Sequence, residues 1–363
     1  MPRGSLTIEP DPDFGRIAAI LRRDRAPDRV PFFELFVNPR ADLSQAVWGG
    51  GPETPKPKPG AAPEDWAVEW RIRLMHRLGY DFATVHAKNC AFPQAERPQA
   101  ATEWGEKRAY VQAAAHAIAN REDFEKYPWP DMQRADYSPL EAAAKILPEG
   151  MKLIALGRGG ILENTMWLLG YEGIIYLLFD DEAFVRDVFE AVAVRIIQLF
   201  DNLACFEAVG AVALGDDMGF KTQTLLSPAA MRKHVFPWHR KLVETVHRRG
   251  KFAILHSCGN RTAVMEDILD CGWDGLHSFE DAIEPVWEAK ARHGRRIALL
   301  GGFDMDKICR MSEDEVRAHA RFLIEQCGPG GGWGLGTGNS LPDYVPAQNY
   351  LAMLDEGWRH GRA

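Results

Sequence analysis

The sequence is poor in positive charge and in closely spaced cysteines. Its 363 residues carry a net charge of −8, which disfavours a protein that binds nucleic acid through a basic surface. The 6 cysteines are scattered without a Cys-x-x-Cys pair, and a chain of this length does not need disulfides to stabilise its core. We therefore expect reduced thiols in a cytoplasmic protein.

Membrane-spanning, secretory and nucleotide-binding signals are also missing. No run of 18 apolar residues occurs, and the N-terminal run MPRGSLTIEPDPDFG has no apolar stretch. No predicted strand leads into Gly-x-Gly-x-x-Gly, and the glycines at 328–332 lack the Gly-Lys-Ser/Thr ending of a phosphate-binding loop. We expect neither a membrane span nor a secretory signal, and a dinucleotide-binding fold is disfavoured.

Short apolar runs do recur along the chain, and long amphipathic segments separate them. The runs are almost continuously apolar, which is typical of parallel strands covered on both faces. There are eight of them, at Val30–Phe36, Tyr80–His86, Lys152–Gly157, Ala208–Gly215, Lys251–His256, Trp273–Ser278, Arg296–Gly302 and Gly332–Thr337. Eight strands that alternate with helices predict an α/β fold, specifically a (β/α)8 barrel.

We expect a single domain over residues 1–363. Residues 1–27 precede the first predicted strand as an N-terminal extension. Two long segments, 42–62 and 87–137, follow the first and second predicted strands. Because loops that follow barrel strands surround the active site, we expect both segments to be insertions on its rim.

Polar and ionisable side chains stand at the end of each predicted strand, where the active site of a barrel lies. An N-cap for the following helix would explain any single one of them, so the argument depends on their coincidence. In chain order they are Glu34, Arg40, His86, Arg158, Asp216, Asp217, His256, Cys258, His277, Glu280, Asp304 and Asn339.

The sharpest local signal is His256-x-Cys258 at the end of the fifth predicted strand. In extended backbone, residues i and i+2 point to the same face, so the imidazole and the thiol converge. Both are good Zn²⁺ ligands, which predicts a metal site. The alternative is a buried cysteine that packs as a small apolar residue beside a hydrogen-bonded histidine.

A catalytic zinc usually takes three protein ligands and leaves one position open. The sequence leaves four candidates for the third ligand: Glu280, Asp216, Asp217 and Asn339. Glu280 is our first choice. The adjacent Asp216 and Asp217 cannot both point inward from one strand, so one should line the site while the other hydrogen-bonds outward.

Four longer runs extend this pattern: LHSCGN, GLHSFED, ALLGGFD and PGGGWGLGTGNSLPDYVPAQNY. Together they resemble the uroporphyrinogen decarboxylase-like superfamily, well over residues 150–360 and loosely over the first 90. The resemblance implies a (β/α)8 barrel and a homodimer. It also implies one of two chemistries: cofactor-free decarboxylation of porphyrinogen side chains, or zinc-dependent, corrinoid-linked methyl transfer.

The sequence departs from both branches of this superfamily. The decarboxylases carry two arginines after the first strand and a catalytic aspartate at the end of the second. Here only Arg40 matches an arginine, Phe36 replaces the other, and His86 ends the second strand. The methyltransferases carry His-x-Cys and a distant third cysteine. His256 and Cys258 match this pattern, but Asn339 stands at the third position.

Our first hypothesis is therefore a methyltransferase-like enzyme in which zinc activates a thiol. A corrinoid, either free or bound to a partner protein, would supply the methyl group. We expect Asp216, Asp217, Glu280 and His86 to be catalytic. Small-molecule substrate would contact five residues, of which two arginines would hold an anionic group: Arg40, Arg158, Glu34, His277 and Asn339. The alternatives are a cofactor-free decarboxylase, with an aspartate of the 216–217 pair as general acid, and a non-catalytic partner of a corrinoid protein.

Overall fold

A computed structural model describes residues 8–51, 54–56, 63–94, 99–101, 107–109 and 116–362. Its strands are β1 Phe82–His86, β2 Gln99–Ala101, β3 Lys107–Ala109, β4 Lys152–Leu156, β5 Val209–Gly215, β6 Phe252–His256, β7 Gly275–His277, β8 Ala298–Leu300 and β9 Trp333–Gly334. β2 and β3 form an antiparallel pair within the predicted second insertion. The other strands form one parallel sheet of seven, in the order β1-β4-β5-β6-β7-β8-β9.

Helices alternate with the strands of this sheet, as the amphipathic segments predict. They are α1 Phe14–Arg22, α2 Ala41–Trp48, α3 Pro63–Arg77, α4 Arg121–Lys126, α5 Ser138–Ile146, α6 Ile161–Leu169, α7 Tyr171–Asp180, α8 Glu182–Ala204, α9 Pro228–His234, α10 Phe236–Arg248, α11 Met265–Asp270, α12 Val286–His293, α13 Met305–Arg310, α14 Glu313–Cys327 and α15 Ala347–His360. None of the helices in the described ranges is both long and apolar enough to cross a bilayer.

The strands are short, buried and apolar because both faces of the sheet are covered. Residues 153–156 of β4 and 211–214 of β5 are all buried, and so is nearly every apolar residue of β6. The apolar runs therefore predicted seven of the eight strands, with ends trimmed by one to several residues.

The first predicted strand, Val30–Phe36, is the exception, because it does not join the sheet as a regular strand. It forms isolated parallel bridges with the chain around β9, between Phe32 and Leu335 and between Val37 and Leu341. Between these bridges the Glu34 carboxylate accepts the backbone N–H of Thr337 at 3.4 Å, which interrupts a backbone ladder. An eighth regular strand is thus not seen in the described part of the chain.

This first segment nevertheless lies between the two ends of the sheet. It is bridged to Leu335 beyond β9, while the ring of Phe33 lies 5.5 Å from the ring of Phe82 on β1. The seven-stranded sheet is therefore strongly curled. The carboxyl ends of its strands face one mouth, where the predicted site residues gather.

The described part of the predicted N-terminal extension packs at the opposite end of the sheet. Asp81, just before β1, is fully buried and binds Arg16 of α1 at 3.0 Å and Arg29 at 2.8 Å. Two arginines around one buried carboxylate compensate its charge, so losing Asp81 would leave buried guanidinium groups without this partner. This ion-pair cluster fixes α1 beneath β1.

Candidate metal centre

The turn after β6 depends on a glycine that no other residue could replace without strain. Gly259 has φ +83°, and a Cβ atom there would lie 1.9 Å from the backbone oxygen of Gly219. The close approach of these two chain segments brings the loop after β5 against the loop after β6. As a result the backbone N–H of Cys258 donates to Asp217 Oδ1 at 2.7 Å.

Three different ligand types converge at this point: a thiol, an imidazole and a carboxylate. Cys258 Sγ lies 3.5 Å from His256 Nε2, which lies 3.9 Å from Asp217 Oδ1. All three ligand atoms lie within 4.8 Å of one another. A tetrahedral zinc ion with ligands ~2.0–2.3 Å away would hold them about 3.3–3.8 Å apart, so the set fits such an ion with small adjustments.

His277 on β7 orients the ring of His256. A backbone carbonyl only accepts, so His277 Nε2–H donates to the oxygen of Thr337, at 3.3 Å. His277 Nδ1 then carries a lone pair, which accepts the Nδ1–H of His256 at 2.8 Å. His256 Nε2 is left unprotonated and faces Cys258, which is the tautomer that a metal ligand requires.

Burial keeps the histidines of this centre neutral. Burial, with Arg261 nearby, lowers the pKa of His256 to about 4, and burial lowers the pKa of His277 well below its usual value. Burial and the Asp217 carboxylate raise the pKa of Cys258 to about 12, so without a cation the thiol keeps its proton at neutral pH. A bound divalent cation would reverse this preference by stabilising the thiolate.

Asn339 and Ser278 complete the surroundings of the Cys258 sulfur. Asn339 Nδ2 donates to Sγ at 3.2 Å, and Ser278 Oγ lies 3.7 Å from it. The Asn339 oxygen accepts the backbone N–H of Ser340 at 2.7 Å, which fixes the amide so that its NH2 group faces the sulfur. Asn339 is therefore placed as a hydrogen-bond donor beside the centre, and its oxygen faces away from the sulfur.

The two adjacent aspartates point in opposite directions, as strand geometry predicts. Asp217 faces the mouth, whereas Asp216 is fully buried behind it. The Asp216 carboxylate accepts the backbone N–H groups of residues 161, 162 and 163 at the start of α6, and it binds His239 Nε2 at 2.8 Å. Asp216 is thus an anchor for α6, and these hydrogen bonds argue against its predicted catalytic role.

Glu280, our first choice as third ligand, lies outside the three-residue cluster, and Asp217 takes that place. Glu280 instead lines a cleft of about 690 Å³ that also contacts Asn339. The other side chains of this cleft include Asp281, Lys307 and Tyr344. Its volume is typical of small-molecule sites, and Asn339, which donates to the Cys258 sulfur, joins the cleft to the centre.

Two predicted substrate contacts have structural roles instead. Arg40 is buried, forms an ion pair with Asp42 and donates to the backbone oxygens of Pro342 and Val345 at 3.0 and 2.7 Å, so its guanidinium is engaged. Glu34 is fully buried against Thr337, and burial raises the pKa of its carboxyl group to about 8. Neither residue is free to contact a substrate.

The remaining predicted residues, His86 and Arg158, lie at the ends of β1 and β4 on another side of the mouth. Arg261 was missed by the sequence analysis, although it directly follows the HSCGN run. It is buried and donates to the backbone oxygens of Ser257 and Ser278, so it joins the loops after β6 and β7. Only these tertiary contacts reveal its role.

Comparison with known proteins identifies the family. The sequence profile of uroporphyrinogen decarboxylase (URO-D) matches residues 62–359, which is most of the chain. The chain belongs to the URO-D family. The predicted resemblance is confirmed, and the candidate metal centre lies inside the matched region.

Individual URO-D family relatives include both chemistries. Residues of this chain are 24% identical over 221 positions to the methylcobamide:CoM methyltransferase MtaA of Methanosarcina barkeri, covering 57% of this chain and 62% of that protein. They are 25% identical over 190 positions to the uroporphyrinogen decarboxylase of Thioalkalivibrio sulfidiphilus, covering 51% of each chain. The matches thus span little more than half the length of these relatives.

A solved structure supports the fold over most of the chain. The methyltransferase from Methanosarcina mazei superposes with a TM-score of 0.71 and 18% identity, covering 95% of this chain and 97% of that one. At this identity the likeness establishes the shared α/β fold of the URO-D family. The chemistry has to be argued from the site itself.

Proposed function

We propose that this URO-D family protein is a zinc-dependent methyltransferase that transfers a methyl group from a corrinoid to a small thiol. The convergence of Asp217, His256 and Cys258 at the mouth carries this proposal. A nitrogen, a sulfur and a carboxylate oxygen make a ligand set that suits zinc and leaves a fourth position for the acceptor. Similarity to methylcobamide:CoM methyltransferase supports the same branch of the family.

When bound there, zinc would hold the sulfur of the acceptor as a thiolate at neutral pH. The residues of the chain prepare the site for this chemistry. His277 keeps the lone pair of His256 Nε2 directed at the centre. Asn339 donates to Cys258 Sγ, so its N–H stabilises negative charge on that sulfur once the thiol proton has left. The backbone N–H of Cys258 holds the carboxylate of Asp217 in place.

The 690 Å³ cleft beside Asn339 admits the acceptor and the reactive end of the methyl donor. A partner protein that carries the corrinoid, a homodimeric assembly and a cytoplasmic location belong to the same proposal and rest on the family resemblance. So does the interpretation of residues 42–62 and 87–137 as rim insertions of a single barrel domain.

Decarboxylation is less well supported by the site. It requires a general acid from the aspartate pair, but both oxygens of Asp216 accept hydrogen bonds from the start of α6, and Asp217 lies in the three-residue ligand cluster beside His256 and Cys258. The end of β1 offers His86 instead of a carboxylate. Burial lowers the pKa of His86 to about 3, so its imidazole is neutral at neutral pH. The imidazolium form that could act as a general acid is therefore not populated.

Metal content of the purified protein, measured by elemental mass spectrometry, tests the proposal directly. We expect about one zinc per chain, lost in Cys258→Ser and Asp217→Asn but retained in Glu280→Gln, the matched carboxylate control. The wild-type protein should then catalyse loss of the methylcobalamin absorbance in the presence of a thiol.

Two results would contradict the proposal. The first is wild-type protein that neither contains zinc nor takes it up. The second is a Cys258→Ser variant that keeps both zinc and methyl transfer. Zinc lost in Glu280→Gln but kept in Asp217→Asn would restore Glu280 as the third ligand.

A further inference from the structure

A buried arginine lies within one peptide group of the candidate metal centre. Arg261 is only 6% exposed. Its Nη1 donates to the backbone oxygen of Ser257, the residue between His256 and Cys258, and its Nη2 donates to that of Ser278 at 2.8 Å. The hydroxyl of Ser278 lies 3.7 Å from the Cys258 sulfur. The guanidinium therefore binds both loops that surround this sulfur.

The peptide group between Ser257 and Cys258 joins this arginine to the carboxylate of the centre. Its C=O accepts from Arg261, while its N–H donates to Asp217 Oδ1 at 2.7 Å. A hydrogen bond at one end of a peptide group polarises it and strengthens the bond at the other end. The positive charge of the guanidinium thus favours negative charge on Asp217 across a single peptide group.

No carboxylate neutralises Arg261 directly among the residues that the structure describes. Both of its hydrogen-bond partners are neutral carbonyls, and its Nε is buried without a partner in the same residues. Burial lowers the pKa of Arg261, and Glu284 is the carboxylate that most opposes this shift. Glu284 is itself paired with Arg292 at 3.2 Å. An arginine keeps its charge at neutral pH, so a positive charge is held next to the centre.

The charges of the proposed centre show what this cation would balance. With a divalent cation bound, the Asp217 carboxylate and the Cys258 thiolate cancel its two positive charges, and His256 is neutral. An acceptor thiolate at the open position would then leave one negative charge in a partly buried site. Such a charge is costly unless an opposite charge lies near it. Arg261 is placed to supply that opposite charge.

We propose that Arg261 is a positioning residue that makes the open position of the centre prefer an anionic ligand, the thiolate of the acceptor, over a neutral one. It holds the peptide group that binds Asp217, and it balances the charge that the acceptor sulfur adds once the thiol proton has passed to solvent. This inference rests on the proposed function, because it requires a metal ion at the centre. An arginine that only linked two loops would affect stability without favouring one kind of ligand.

Cobalt(II)-substituted protein allows this preference to be measured without turnover, because the absorbance of cobalt(II) changes with each ligand that enters its coordination shell. The full chain is titrated with 2-mercaptoethanol, with azide, which is an anion at every pH used, and with imidazole as the neutral ligand. Arg261→Gln should weaken the binding of 2-mercaptoethanol and azide about 10-fold and change that of imidazole less than about 2-fold. Its metal content should persist, because the three ligands are unchanged.

Further variants separate the charge of Arg261 from its hydrogen bonds. Arg261→Lys keeps the charge and should retain most of the preference for azide over imidazole. Arg296→Gln is the matched control, because Arg296 is 49% exposed, pairs with Glu266 and lies just before β8, at the amino ends of the strands. It should bind all three ligands as the wild-type protein does. If Arg261→Gln does not fold, Arg261→Met removes the same charge and keeps an apolar stem.

The outcomes separate this proposal from the proposed function. Azide and imidazole binding that fall equally in Arg261→Gln, or that both stay unchanged, would overturn the proposal and leave Arg261 a link between two loops. A preference lost as fully in Arg261→Lys as in Arg261→Gln would overturn it as well, because the charge would then not be the cause. Wild-type protein that takes up neither cobalt nor zinc would reject the metal centre and this proposal with it. Metal uptake with a ligand preference independent of Arg261 would reject this proposal alone.

Discussion

Replacing either of the adjacent aspartates with asparagine should have opposite consequences. Asp216 Oδ2 accepts the N–H groups of Ile161 and Leu162, both at 3.1 Å, and Oδ1 accepts that of Glu163 at 2.9 Å. His239 Nε2 lies 2.8 Å from Oδ2. An asparagine has only one acceptor oxygen, so in Asp216→Asn its NH2 group must face at least one donor in a site without solvent.

The expected loss of stability can be worked from these contacts. Each hydrogen bond to a charged group contributes about 1.5–3 kcal/mol, although bonds that share one carboxylate do not add. The carboxylate also lies at the positive end of the α6 dipole, which favours it by a further ~0.3–1 kcal/mol. Breaking a buried charged network by changing one member costs about 3–5 kcal/mol. We expect Asp216→Asn to lower the free energy of unfolding by that amount.

Asp217→Asn is the matched control, because the same substitution is made one residue further along the chain. The Asp217 side chain is 39% exposed and its bond to the backbone of Cys258 can be replaced by the asparagine oxygen. We expect a loss of less than about 1 kcal/mol, as for most exposed positions. Zinc content should fall in Asp217→Asn and persist in whatever fraction of Asp216→Asn remains folded.

Urea denaturation followed by tryptophan fluorescence, together with metal analysis, measures both effects. Equal stability of the two variants would refute the anchoring role of Asp216. Loss of zinc in a fully stable Asp216→Asn protein would show that Asp216, rather than Asp217, faces the metal.

Three further predictions concern residues around the centre. Because the folded protein raises the pKa of Glu34 to about 8 from an ordinary 4.5, it retains a proton that the unfolded chain releases, so stability should fall as the pH rises from about 4.5 to about 8. Glu34→Gln should flatten that decline in urea midpoints measured at pH 5 and pH 8, and parallel curves for the two proteins would contradict this account. His277→Phe should weaken zinc binding about 10- to 100-fold in competition with a chromophoric chelator, because His256 loses the partner that fixes its tautomer; unchanged affinity would leave His277 a packing residue only. Arg40→Gln should lower stability by about 1–3 kcal/mol without changing the KM for the acceptor, and a raised KM at unchanged stability would restore its predicted substrate contact.

The sheet was largely predictable because its strands are buried on both faces and so read as apolar runs. β4, β5 and β6 begin and end within one or two residues of the predicted bounds. The segment 30–36 is as apolar as these strands, but the buried side chain of Glu34 within it accepts a hydrogen bond from the backbone N–H of Thr337. A contact between residues about 300 positions apart leaves no trace in local sequence.

The metal centre was predictable only in part, for the same reason. The spacing of His256 and Cys258 placed both side chains on one face, and strand alternation required Asp216 and Asp217 to diverge. Which aspartate turns inward depends on a hydrogen bond between two loops, in which the backbone N–H of Cys258 donates to Asp217. Glu280 was a reasonable choice at its strand end, yet no comparable contact brings it to the sulfur.

Arginines show this limit most clearly, because a charge in sequence does not reveal its partner. Arg40 follows a predicted strand and suggested a substrate contact, yet two carbonyls and Asp42 occupy it. Arg71 lies in the middle of a helix and carried no signal at all. Its hydrogen bonds to the backbone oxygens of Val37 and Thr84 become visible only once the surrounding residues are placed.

Thr337 links the buried Glu34 to the candidate metal centre. Thr337 Oγ1 lies 2.6 Å from Glu34 Oε1 and 2.5 Å from the backbone oxygen of Asn339. The single hydroxyl hydrogen of Thr337 thus faces two acceptors, the Glu34 carboxyl group and the Asn339 carbonyl. Since the backbone oxygen of Thr337 also accepts from His277, ionising Glu34 would disturb the segment that positions both Asn339 and His277. Glu34, buried behind the mouth, therefore contacts the segment that binds both Asn339 and His277, and we expect Glu34→Gln to change zinc affinity as well as the pH dependence of stability.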